Sequence, residues 1–357
     1  MRALRGYVGK PKTYDKSKYD LMYKRKMADT QRLDAQGVPE KVRLRVADAS
    51  KLEFLIVVPT YNRHGPLKEF QKVADMEDPS LAEVPFILSR TLRFLHAQGI
   101  CHDDVHLWVS DDRQRTLYSR ALKQTFSQNV ITKCGDWSDV RLCVGVPTIG
   151  AQRSFIARAY PENLHLIHID DDIECMKMAV RRKNKNVVVE ATKGDFEKII
   201  KLGAKLMQTQ SCFLWGLNPS SNDYFLKRSV SRKNGLVLGS CFGILNRWDT
   251  GLLASISERG HHEDVERTLR HIERDGRVLR MSFATLVSKY CGNSGGMQAT
   301  YTTPKDRSAD ARRITQLLAQ RFSQLGRVDP DDSSKFNFLP KGPKPLKLAD
   351  LRHTMSF

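Results

Sequence analysis

The chain has 357 residues, 40% hydrophobic and 28% charged, a globular balance with room for one large α/β domain with extensions or for two modest domains. Lys and Arg number 59 against 40 Asp and Glu, a net charge of +19, which favours polyanionic partners such as nucleic acid, anionic lipid or phosphorylated substrates. No run of 18 apolar residues occurs, so no membrane-spanning helix is expected. The N-terminal MRALRGYVGK lacks the apolar stretch of a signal peptide, and seven scattered cysteines without a CxxC pair point to reduced thiols in a cytoplasm.

In chain order, residues 1–50 are polar and basic, with a cluster at Lys24, Arg25 and Lys26, and are expected to form a basic N-terminal arm. The first clear element is FLIVVPTYNR, Phe54 to Arg63, whose continuous apolar run stopped by Pro59 predicts a buried central strand. Residues 84–99, apolar at Phe86, Leu88, Leu92 and Leu95 and closed by Gly99, suit a helix with a glycine cap. Val105 to Asp112 is a second strand ending in acids, Arg115 to Phe126 a helix, Val140 to Val146 a short strand, and Gln152 to Tyr160 a helix closed by Pro161. LHLIHIDDD, Leu164 to Asp172, is a third strong strand that also ends in acids. This alternation predicts an α/β fold with a mostly parallel sheet flanked by helices.

The second half changes character. VVVEA and a helix from Asp195 to Gln208 are regular, but Cys212 to Trp215, Leu236 to Leu238 and Phe242 to Leu245 are short apolar pieces between turns, so a mixed sheet is expected. Residues 263–275 place Val265, Leu269 and Ile272 on one helical face. A last helix, roughly Asp306 to Leu325, leads into DPDDSS and the Lys- and Pro-rich KGPKPLK, read as an extended tail. The expected organisation is a basic arm at 1–50, a main domain at 51–303, and a C-terminal helix and basic tail at 304–357.

The chemistry lies in where the acids sit. Side chains of an extended segment alternate sides, so Asp170 and Asp172 face one way while Asp171 turns the other. Two carboxylates at the C-terminal edge of a parallel sheet form a hard-oxygen site for Mg²⁺ or Mn²⁺, which bridges the phosphates of a nucleotide. At that same edge Pro59, Thr60, Tyr61 and Arg63 end the first strand and Asp111 and Asp112 the second, while Gly150 to Arg153 open a helix suited to phosphate or sugar. With Asp171 these residues are the candidate donor contacts, although each alone also reads as ordinary strand-to-helix turn chemistry. Asn218, Asn222 and Asp223 are turn residues that could equally touch donor sugar or acceptor base. RRKNK, Arg181 to Lys185, is the best candidate for a nucleic-acid phosphate contact.

The order PTYNR, SDD, GAQR with ARAYP, HIDDD and HEDVE resembles the GT-A glycosyltransferases, inverting types in particular, over about residues 52–300. More narrowly, GLNPSSNDYF, LVLGSCFGILNR, HEDVERTLR and YCGNSGGMQ are similar to the glycosyltransferases associated with TET/JBP dioxygenases, a group that includes the base J glucosyltransferase and many phage enzymes. The resemblance implies a GT-A fold and metal-dependent transfer from a UDP-sugar, UDP-glucose first, to a 5-hydroxymethylpyrimidine such as 5-hydroxymethylcytosine in DNA. It also implies a base at Glu263 or Asp264, with Asp264 favoured. Two departures stand out: the acidic run is DDD, which leaves the ligating pair ambiguous, and no single histidine is an obvious third ligand, His261 and His262 being the candidates. A GT-A transferase acting on a polysaccharide or protein, or a non-catalytic basic DNA-binding scaffold, would share much of this pattern.

Overall fold

The computed structural model describes residues 54–183, 185–257, 260–288, 303–339, 342 and 344–348. The N-terminal arm, with Lys24 to Lys26, and the glycine-rich stretch at 292–296 lie outside the described residues.

The apolar runs become strands where expected. β1 (Phe54–Pro59), β2 (Val105–Val109), β3 (Arg141–Val144) and β4 (His165–Ile169) pair in parallel, with β1 between β4 and β2 and β3 outermost. All five residues of β2 and of β4 are buried, as strands covered on both faces must be. From β4 the chain turns through the acidic run into β5 (Ile173–Arg182), which pairs with β6 (Lys185–Glu190) in an antiparallel hairpin.

The other half of the molecule is mixed. β7 (Leu214–Leu217), β8 (Ser229–Ser231), β9 (Cys241–Leu245) and β10 (Leu279–Met281) continue the large sheet, with β9 antiparallel to both β4 and β7. β11 (Ala284–Ser288) joins β5 and β6 in a separate small sheet. The architecture is therefore α/β, a parallel half beside a mixed half, as the patterning predicts.

Helices cover both faces. A π-turn, Leu88–Leu92, leads into α1 (Arg93–Ala97); then follow α2 (Asp112–Lys123), α3 (Gln128–Cys134), α4 (Ile149–Ala159), α5 (Asp195–Gln210) and α6 (Glu263–Asp275). α5 buries Phe196, Ile199, Ile200, Gly203 and Met207 at helical spacing. Gly203 and Gly243 both lie against the buried Trp215 indole, which leaves no room for a Cβ at either position. The Trp215 Nε1–H donates to Nε2 of buried His165 at 3.0 Å, and burial holds that imidazole neutral, its pKa down to about 3.

Several segments differ from the sequence expectation, among them strands β5, β8, β10 and β11, which it did not include. α3 was not foreseen, because QNVITKC is too short to show a period. The piece from Leu236 to Leu238 joins no strand: the Val237 N–H donates to Thr268 Oγ1 at 3.1 Å and its carbonyl accepts from Arg267 at 3.3 Å, so side chains of α6 replace a ladder. DPDDSS is not an extended tail but the turn of a hairpin between β12 (Gly326–Val328) and β13 (Phe336–Phe338), where Asp329 Oδ1 accepts the N–H groups of Asp331 and Asp332. Before it, α7 (Pro304–Arg321) is closed by a Thr303–Asp306 capping box and packs Ile314, Leu318 and Phe322 against Val265 and Leu269 of α6. Beyond the hairpin, β14 (Leu346–Lys347) adds to the edge of the large sheet beside β8.

Candidate active site

The acidic run emerges at the C-terminal end of β4, held from both sides. The Thr91 hydroxyl, in the π-turn, donates to the Asp170 carbonyl at 2.7 Å and accepts the Ile173 N–H at 2.9 Å. The widened turn thus clamps the tight corner that presents Asp170, Asp171 and Asp172, a common setting for π-turns near functional groups. On the other side the Asp170 N–H donates to the Ser240 carbonyl at 3.0 Å.

The three acids differ in burial, in a turn rather than an extended strand. Asp171 is 8% exposed and points into the fold, where the Thr60 hydroxyl donates to its Oδ2 at 2.7 Å. Thr60 in turn contacts the Tyr118 hydroxyl at 2.6 Å, and that same hydroxyl accepts the Arg63 N–H at 2.8 Å. Asp171, Thr60 and Tyr118 therefore tie the end of β1 to the end of β4 and to α2. Asp170 and Asp172 stay half-buried at the sheet edge.

A buried charge network stands behind Asp170. Arg153, 7% exposed on α4, donates from Nη2 to Asp170 Oδ1 at 2.6 Å and to the Gly239 carbonyl at 2.7 Å, and from Nη1 to Glu263 Oε1. The other Glu263 oxygen accepts from Arg267 Nη1 at 2.6 Å, and the Arg267 guanidinium lies 3.6 Å from the centre of the Phe242 ring. Neutral His168, its pKa held down by burial, stacks on Phe242 at 4.4 Å. Gly239 lies close against this pair: a Cβ there would meet the Arg153 guanidinium at 2.6 Å and the Glu263 carboxylate at 3.0 Å, so a larger residue would shift their ends. Desolvation pushes the Asp170 carboxyl up to about 7 against the opposing pull of Arg153, with Asp172, Asp171 and Glu263 adding to the rise. Because 36% of that side chain remains open, solvent tempers the shift.

The two candidate bases have different surroundings. Glu263, 5% exposed, spends both oxygens on buried guanidinium groups. Asp264 is half-buried, accepting the Val265 N–H at 2.8 Å and approached by the Gly239 N–H at 3.4 Å. The Asp264 carboxylate is approached by the Gly239 N–H of the Gly239–Ser240 turn, while Asp170 reaches the same turn through its backbone N–H, which donates to the Ser240 carbonyl.

The remaining predicted residues divide. Pro59 ends β1 and is buried; Tyr61 beyond it is 37% exposed. Arg63 is 4% exposed, with its guanidinium 4.5 Å from the Phe86 ring centre, and among the described residues its Nε and Nη1 have no hydrogen-bond partner. Asp111 caps α2 by accepting the Gln114 N–H at 2.8 Å, and Asp112 pairs with Arg115 at 2.7 Å. His262 Nε2 contacts the Ser334 carbonyl at 2.9 Å, and His261 faces Arg307 at 3.4 Å. Among the described residues, no three His, Cys, Asp or Glu side chains are gathered for a metal.

Sequence reasoning missed Arg267, Thr91 and Tyr118. The first was in reach, since Glu263 and Arg267 are an i, i+4 pair on a helix; the other two are tertiary. Arg90 was also missed: its Nε lies 3.5 Å from Glu174, and its charge interacts with Asp172.

Among the described residues no helix is long and apolar enough to cross a membrane. No family model matches the chain, and no curated protein matches it. Among solved structures it is similar to S. aureus TarS residues 1–349 in complex with UDP-GlcNAc, at 13% identity and a TM-score of 0.41, over 75% of this chain and 67% of that one. A second TarS structure is similar at 12% identity and a TM-score of 0.38, over 75% of this chain and 40% of that one. Likenesses this distant transfer neither substrate nor reaction to this chain.

Proposed function

We propose that the chain is a glycosyltransferase that moves a sugar from a UDP-sugar to a 5-hydroxymethylpyrimidine base in DNA, with inversion. The observation that carries this reading is that two half-buried acids, Asp170 and Asp172, follow β4, and that Asp170 bonds through its backbone N–H to the same Gly239–Ser240 turn whose Gly239 N–H approaches the carboxylate of Asp264, a third acid that carries no ion pair among the described residues. Asp264 accepts the proton of the acceptor hydroxyl as its oxygen attacks the anomeric carbon; the bond to the UDP oxygen breaks, and its electron pair leaves with the diphosphate.

Asp170 and Asp172 fit a divalent cation as two hard-oxygen ligands, with Mn²⁺ or Mg²⁺ the ions expected, and the open part of the Asp170 side chain leaves it reachable. Such a cation would neutralise charge on the departing diphosphate. Arg63, a buried cation whose Nε and Nη1 have no hydrogen-bond partner among the described residues, is suited to donor phosphate, and Tyr61 near it to the base. Asp111, Asp112 and Arg153 serve the frame of the site through capping and ion pairing.

The DNA acceptor rests on the net charge of +19 and on the exposed Arg181, Arg182, Lys183 and Lys185 around the β5–β6 turn. Mass spectrometry of nucleosides tests it, using 5-hydroxymethylpyrimidine DNA incubated with the protein, UDP-glucose and Mn²⁺. A hexose added to the modified base and lost with EDTA is the expected result. Transfer to a polysaccharide or protein, with DNA untouched, would overturn the acceptor assignment.

A further inference from the structure

We propose that Tyr224 and Phe225 form an aromatic platform on which a base of the acceptor nucleic acid stacks; this rests on DNA being the acceptor. The two rings are the most exposed large hydrophobic side chains among the described residues, at 82% and 51%, and they meet edge to face at 5.3 Å.

The loop that carries them is built to present them. Asn222 Oδ1 accepts the Tyr224 N–H at 3.0 Å, and the Asn218 side chain donates to the Phe225 carbonyl at 3.0 Å. Asp223 pairs with Lys177 of β5 at 3.1 Å, and Leu226 is buried beneath. The polar residues of NPSSND are thus spent on loop geometry, and the rings are what the loop offers to solvent.

Register places the loop at the sheet edge that bears the acids. His168 of β4 and Gly216 of β7 both pair with Phe242 of β9, so β7 ends level with β4 and the next residue but one, Asn218, stands level with Asp170. Two strand spacings separate them, about 10 Å. The second link is β5, which starts directly after Asp172 and reaches the loop at Lys177.

Charge selects the occupant. Exposed Lys227 follows the rings two residues on, and the strand that ties Lys177 to the loop through Asp223 runs on to the basic turn at Arg181, Arg182 and Lys183. Exposed rings set among cations match a nucleic-acid strand, whose bases stack while its phosphates meet the basic side chains. A neutral polysaccharide would use the rings and leave the cations idle.

The test is fluorescence anisotropy of a labelled single-stranded oligonucleotide with the full-length protein at two salt concentrations. Tyr224→Ala and Phe225→Ala each weaken binding at least about fivefold with the salt dependence retained, because stacking is not ionic. Tyr224→Trp keeps the affinity, which separates stacking from loss of fold, and Lys227→Ala makes the salt dependence shallower. A double alanine variant that binds as wild type while the wild-type protein glycosylates DNA would overturn the platform alone. Failure of the wild-type protein to bind the oligonucleotide would overturn the platform, and if no sugar is transferred to 5-hydroxymethylpyrimidine DNA either, the acceptor with it. UDP-sugar hydrolysis by the wild-type protein reads the donor site separately.

Discussion

Replacing Asp264 by Asn is expected to lower sugar transfer by about two to four orders of magnitude, the usual worth of a positioned general base. The carboxylate accepts only backbone N–H groups, near Val265 and Gly239, and forms no ion pair among the described residues. Its removal therefore costs little fold stability, about the 0.3–1 kcal/mol of a charge in the first turn of a helix. Steady-state kinetics at saturating donor, beside a thermal melt, separates the two effects. Unchanged transfer by Asp264→Asn would place the base elsewhere.

Replacing the neighbouring Glu263 by Gln is expected to do the reverse, destabilising the protein by about 3–5 kcal/mol. Glu263 is the shared counter-ion of Arg153 and Arg267, and all three are at least nine-tenths buried. Gln keeps the shape but leaves two desolvated guanidinium groups facing each other, with the ion pair from Asp170 and the more distant charge of Asp264 left to balance Arg153. Denaturant unfolding measures the loss; a midpoint equal to wild type would show that the network carries no such energy. Residual transfer by the folded fraction should stay well above that of Asp264→Asn, because Glu263 has no free oxygen with which to take a proton.

Why one of two adjacent acids is buried and the other is not could not be read from HEDVE. Successive helical residues point about 100° apart, so only one of the pair can face Arg153, and which one depends on how α6 docks on the Gly239 turn. The bounds of α6 were legible because Val265, Leu269 and Ile272 mark its inner face. Asp171 is buried and its neighbours half-buried, but the run lies in a turn after β4, so strand alternation does not account for the division; the Thr60 hydroxyl that holds Asp171 comes from far off in sequence. Arg153 looked like a helix-opening contact for phosphate; its burial against Asp170, Glu263 and Gly239 depends on residues far off in sequence. The exposure of the Tyr224–Phe225 pair was not legible, since exposure follows from tertiary packing and not from composition.

If Asp170 and Asp172 mark a metal-dependent UDP-sugar site, UDP release from a panel of UDP-sugars in the presence of Mn²⁺ is the decisive measurement. The wild-type protein should release UDP from at least one donor, with the activity lost on adding EDTA and in Asp172→Ala. Release that persists in both Asp170→Ala and Asp172→Ala, or no release from any donor, would contradict the assignment.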